Sequence, residues 1–148
     1  MKKIINILFL LILFISNKAY SLIEIDITRG NLDPLPIAVS PLSIDEKSKK
    51  EFKRELNLDD LGENISIVIE NNLKQSGLFN PLNKDAFLQN PDIAHLKPRF
   101  EDWSLIKAQA LITGKVNVTE NKIRVEFRLW DVVASKEMIA LAFSTTPN

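Results

Sequence analysis

Cysteine is absent from this chain. Stability therefore rests on core burial without disulfide staples, and no lipoprotein attachment site exists. Histidine occurs once, as His95 in a stretch bracketed by Pro91 and Pro98. A metal site needs several converging ligands, and a lone imidazole with no thiolate does not supply them. Only four glycines are present, which leaves little material for a phosphate-cradling loop, and neither Gly-x-Ser-x-Gly nor His-Glu-x-x-His occurs. An excess of one charge is missing as well, because 19 Lys and Arg balance 19 Asp and Glu. Such a chain is a poor match for phosphate backbones, so no nucleic acid is expected. No apolar run reaches the roughly 20 residues that span a bilayer.

The remaining candidates for chemistry have ordinary explanations. The pairs Asp59/Asp60 and Glu101/Asp102 could serve as acid–base carboxylates. Both stand just before expected helices, where acidic side chains meet the helix dipole favourably. Asn64-Ile65-Ser66 and Asn117-Val118-Thr119 match glycosylation sequons, yet one falls in an expected helix and the other in an expected strand. No catalytic residue, cofactor or metal site is expected.

What is present is alternation. In Gln109 to Glu137, Ala110, Ile112, Gly114, Val116 and Val118 fall on one face. The pattern repeats with Ile123, Val125, Phe127 and Leu129 inside, while Arg124, Glu126 and Arg128 point the other way. A third run, Met138 to Ser144, alternates through Ile139, Leu141 and Phe143. A period of two with polar residues between marks strands with one buried face. Thr119 to Lys122 sits where a hairpin turn belongs. The sequence predicts a three-stranded antiparallel meander.

Ahead of it, Leu22 to Thr28 alternates Ile23, Ile25 and Ile27 against Glu24, Asp26 and Thr28, and reads as a strand. A turn at Arg29 to Pro34 leads to extended structure over Leu35 to Leu42, where Pro36 and Pro41 favour a sheet edge or strand ends. Asp45 to Asp60 alternates in charge and reads as a solvated loop or a short surface helix opened by the Ser43/Glu46 pair. The main helix follows. Asp60 caps it, Glu63 closes the capping box, and Leu61, Ile65, Val68, Ile69 and Leu73 share its inner face, with Gly77 as its stop. Leu78 to Leu82 is a short extended piece, Asn83 to Gln89 a helical turn, and Asn90 to Pro98 a loop. Asp102 caps a second helix reaching Ala108, with Trp103, Ile106 and Ala110 inward.

The first residues read as a leader. Lys2 and Lys3 precede an apolar run from Ile4 to Ile15, and Ala19 and Ser21 are the small residues of a cleavage site after Ser21. Twelve apolar residues fall short of the roughly 20 that a membrane anchor needs. Residues 1–21 are thus expected to be a signal peptide and 22–148 a single mature domain without integral membrane insertion. Cleavage removes Lys2, Lys3 and Lys18, leaving 16 basic against 19 acidic residues.

Four separated blocks also carry a resemblance. They are IEIDITRGNLDPLPIAVSPL, IENNLKQSGLFNPLNKDAFLQ, PRFEDWSLIKAQALITGKV and IRVEFRLWDVVASKEM. In that order they resemble the N-terminal domain of the TolB family of the Tol-Pal system, over most of the chain after residue 22. The resemblance implies a two-layer α/β domain, a mixed sheet of about five strands with two helices mainly on one face, similar to an anticodon-binding domain. It implies no RNA binding. It also implies a periplasmic, non-enzymatic interaction module acting in outer-membrane integrity and cell division. In that family the start of the mature chain binds the periplasmic domain of TolA, which by position is Leu22, Ile23, Glu24, Ile25, Asp26 and Ile27. The Pal-binding propeller of the family has no counterpart before Asn148, so Pal is not an expected partner. A split TolB and a free-standing domain both fit that boundary.

Two features leave alternatives open. An extended segment with alternating isoleucines can add to another protein's sheet edge, or pair within its own sheet. Trp130 falls on the outward face with Arg128 and Val132, which suits either a contact with another domain or packing beneath a loop. A small exported enzyme or ligand-binding domain is the competing class of function.

Overall fold

The computed structural model describes residues 33–45, 47–48, 60–119 and 122–146. The leader, the strand expected at Leu22 to Thr28 and most of the charged stretch before Asp60 lie outside them. Six strands form one mixed sheet. They are β1 (Leu35–Val39), β2 (Ser43–Ile44), β3 (Phe79–Pro81), β4 (Ala110–Thr119), β5 (Lys122–Asp131) and β6 (Lys136–Thr145). The order is β3-β1-β4-β5-β6, with β2 pairing along the same side of β4 beyond β1. β1 is parallel to β3 and β4, while β4, β5 and β6 form the antiparallel meander the alternation predicts.

The sheet and its long helix α1 (Leu61–Gln75) are the two layers of the α/β fold. On the α1 face, Leu42, Ile44, Val116 and Val118 are buried, and Leu61, Ile65, Ile69, Ile123, Val125 and Phe127 pack against them. On the other face, Leu111 and Ala38 pack with Ala94, Trp103, Ala108 and Val132. That second cluster is roofed by a 3-10 turn (Lys84–Ala86) and two short helices, α2 (Pro91–Ala94) and α3 (Phe100–Leu105). β4 therefore carries buried side chains on both faces, Leu111 and Thr113 opposite Val116 and Val118.

A close approach explains two glycines. After β1 the chain leaves β4 at Ser40 and returns at Ser43, pressing Leu42 between α1 and the sheet, where its N–H donates to the Gly62 carbonyl at 3.2 Å. A Cβ on Gly62 would lie 2.0 Å from the Leu42 carbonyl oxygen, and one on Gly114 2.5 Å from that of Glu126. No larger residue fits either place with this backbone.

Several local expectations are corrected. Asp60 holds the N-cap position of α1 but its side chain makes no cap hydrogen bond, and Glu63 turns to the Lys84 ammonium instead of closing a box. Lys84 also pairs with Glu70 at 3.1 Å and donates to Ser66 Oγ at 2.8 Å, binding the 3-10 turn to the helix. The buried face of α1 is centred on Gly62 and Ser66, so Val68 is exposed. Gly77 does end the helix, at φ 73°, with its N–H on the Lys74 carbonyl.

Ser43 belongs to a strand and opens no helix. β1 is interior to the sheet, so Pro36 is accommodated near a strand end and not at an edge. Asn90 to Pro98, expected as loop, contains α2, with Pro91 at its start and Asn90 accepting from the Asp92 N–H at 2.8 Å. α3 begins after Arg99 and stops at Leu105, because Lys107 turns back at φ 64°. Asp102 lies inside its first turn, paired with Arg99.

Candidate protein-interaction surface

The residues with chemical potential do not converge. His95 follows α2 and is buried, with Nδ1 3.2 Å from Ser43 Oγ and 3.4 Å from the Pro91 carbonyl. Its own carbonyl accepts from Arg128 at 3.1 Å. The imidazole fastens β2 to α2, as a satisfied core histidine does. No group of three or more His, Cys, Asp or Glu that could hold a metal ion occurs among the described residues. Of the acidic pairs, Asp59 lies outside the described residues, Asp102 is tied to Arg99, and Glu101 is exposed.

Trp130 takes the second of its two readings. It shares a face with Val132 and Leu111, and that face is roofed. Its ring meets Phe100 of α3 edge-on at 5.9 Å, and its indole N–H donates to Thr113 Oγ1 at 2.9 Å. Trp103 is anchored in the same layer. Its indole N–H donates to Gln89 Oε1 at 3.0 Å, the oxygen that also accepts from the Arg99 N–H at 2.9 Å. Phe87 stacks edge-on against it at 5.0 Å.

The open surface is on the α1 side of β6. Ile139, Leu141 and Phe143 lie on the inner face that the alternation assigns them, yet are 50%, 53% and 59% exposed. Helix α1 reaches across β4 and β5 and leaves β6 bare. Between the helix and the bare strand lies a hollow of about 300 Å³, lined by Ile69, Ile112, Phe127, Leu129, Ile139 and Leu141. Phe143 leans edge-on against Phe127 at 6.1 Å. β6 pairs only with β5, so its other edge is unpaired among the described residues. From Met138 to Thr145 it carries no charge. The alternation located this face; the missing cover was legible only in that uncharged run.

The reverse face of the hairpin is polar. Arg124 bonds Glu126 at 2.9 Å and Arg128 pairs with Glu137 at 3.2 Å, across the small side chains of Ala140 and Ala142. The hydrogen bond from Arg124 holds the Glu126 carboxyl below its ordinary range. On β4, Lys115 does the same for Asp45 at 2.9 Å.

With this geometry in view, the comparisons are direct. A family model for the TolB amino-terminal domain matches residues 23–138. The chain belongs to that family. Over 145 residues it is 68% identical to the Tol-Pal system protein TolB of Pelagibacter ubique, covering 98% of this chain and 32% of that protein. It thus spans about a third of that relative's length. The solved TolB of Acinetobacter baumannii superposes with a TM-score of 0.55 at 17% identity, covering 77% of this chain and 24% of that one. The LpoB C-terminal domain of Salmonella enterica matches with a TM-score of 0.52 at 12% identity, over 80% of this chain and 87% of that one. These two likenesses show the TolB-type fold alone. Among the described residues no helix is long and apolar enough to cross a membrane.

The six residues assigned to partner binding, Leu22, Ile23, Glu24, Ile25, Asp26 and Ile27, lie outside the described residues. Their assignment rests on sequence and on position within the TolB family.

Proposed function

We propose that this TolB amino-terminal domain is a non-enzymatic interaction module of the periplasm. Residues 1–21 direct its export, and Leu22 to Ile27 at the start of the mature chain dock on the periplasmic domain of TolA. The observation that carries the reading is the 68% identity to a Tol-Pal system TolB across 98% of this chain. Alternate isoleucines on an extended segment suit strand addition, in which backbone bonds give affinity and side-chain pockets give selectivity. Its role in outer-membrane integrity and division follows from that partner. Pal is not included, since the resemblance assigns its docking surface to the propeller.

The test is calorimetric titration of the purified mature protein with the TolA periplasmic domain. Binding is expected, and deletion of Leu22 to Ile27 is expected to abolish it with thermal unfolding little changed. Binding that persists in the folded deletion variant removes the segment from the interface. An unfolded variant makes the segment a structural strand.

A further inference from the structure

We propose that the open edge of β6 is a seat for residues 22–28 of this same chain, added as an antiparallel strand outside β6. Natural sheets rarely leave a long, uncharged, apolar edge uncovered, because it pairs with whatever strand it meets. β6 presents ten residues with no proline, and Met138–Thr145 carries no charge. Three features of the chain select the occupant.

The first is side-chain parity. With Ile25 opposite Leu141, antiparallel pairing sets Ile23 opposite Phe143 and Ile27 opposite Ile139. All three isoleucines then extend the apolar face, which is the requirement that fixes register. The second is charge. Glu24 and Asp26 fall on the reverse face, beside Ala142 and Ala140, whose small side chains leave Arg124 and Arg128 within reach.

The third is reach. Ile37, Ala110, Asp131 and Lys136 form one row of partners across the sheet, so β1 starts at the same end as β6. Three inter-strand steps plus one to the new strand span about 19 Å at about 4.8 Å each. From Thr28 to Leu35 the backbone extends up to about 25 Å. The chain then runs from 22 to 28 toward the Lys136 end, opposite in direction to β6. The other outer strand, β3, is nearer but has only three residues, ending at Pro81, and offers no comparable apolar row. The seat is independent of TolA recognition, although the same seven residues occupy one place at a time.

The absence of native cysteine makes a direct test clean. Ile25→Cys with Leu141→Cys places the two thiols on facing partners, whose Cα separation of about 4.5–5.5 Å suits a disulfide. Oxidation of dilute purified protein, without TolA, is expected to give an internally crosslinked monomer, while Glu24→Cys with Leu141→Cys crosslinks at least tenfold more slowly. Hydrogen exchange of the unsubstituted protein reports independently. Deleting 22–28 is expected to speed alternate amides of Met138–Thr145 at least tenfold while those of α1 keep their rates. Ile25→Asp serves the same purpose should the deletion disturb α1. A crosslink between two chains overturns the proposal in favour of a second copy on the edge. Equal crosslinking of both pairs, or β6 amides that exchange at the same rate with and without the segment, overturns it outright.

Discussion

Gly62 and Gly77 are needed for different reasons, and the two separate by measurement. At Gly62 the obstacle is another backbone, since a Cβ would stand 2.0 Å from the Leu42 carbonyl oxygen. Gly62→Ala must push α1 off the sheet and is expected to destabilise by about 3 kcal/mol or more, at the upper end of overpacking effects. At Gly77 nothing lies within 4 Å, and only φ 73° resists a side chain, so Gly77→Ala is expected to cost about 1–2 kcal/mol. Urea unfolding of both variants decides, and equal losses would mean that Leu42 is not wedged as described. A titratable pair can be read at the same scale. Lys115 depresses the Asp45 carboxyl, so the stability this gives is present above the ordinary carboxylate pKa and fades as pH falls through the lowered folded value. Lys115→Met is expected to return Asp45 toward its ordinary pKa, followed by carboxyl NMR, and to flatten that part of the acid-side stability curve.

Among the elements, those with long periods were legible and those held by single polar contacts were not. The meander's alternation and the Gly77 stop of α1 follow from backbone geometry that the residue pattern carries directly. The capping box did not form because Glu63 has a better partner in Lys84, a residue 21 positions away that no local pattern reveals. The roof over Leu111 was read largely as loop for a similar reason. Its order comes from Gln89, whose amide satisfies Trp103, the Arg99 N–H and the Lys97 carbonyl at once. Gln89→Leu leaves those buried groups unpaired, and each such loss costs about 1–3 kcal/mol. The variant is expected to lose about 2–4 kcal/mol, with tryptophan fluorescence shifting as the Trp103 layer loosens. Gln89→Glu retains the acceptor and is expected to recover part of that loss. Trp130 teaches the same point, since its outward parity was right and the roof that covers it comes from remote chain.

At the scale of the molecule, the two apolar clusters draw their residues from Ala38 to Val132, and neither includes residues 22–28. The folded body and the segment assigned to TolA can therefore be perturbed separately. The fold was legible because it is written in periodicities spread over the chain. The candidate site was legible only as a pattern of isoleucines and a family position, since a six-residue segment carries no core of its own to fix it. Within the segment, two substitutions separate apolar docking from charge steering. Ile25→Asp puts a carboxylate into an apolar contact, a burial that is strongly unfavourable without a partner. Glu24→Ala removes a charge from the opposite side of the strand, where a rim contact contributes about 1 kcal/mol at most. Ile25→Asp is thus expected to weaken TolA binding at least a hundredfold, and Glu24→Ala less than tenfold, with neither shifting the thermal midpoint by more than a few degrees. Calorimetric titration beside a melting curve reads both. If Glu24→Ala were the more damaging, and its effect faded with added salt, the contact would be an electrostatic one, and the apolar face of the segment would be free for β6.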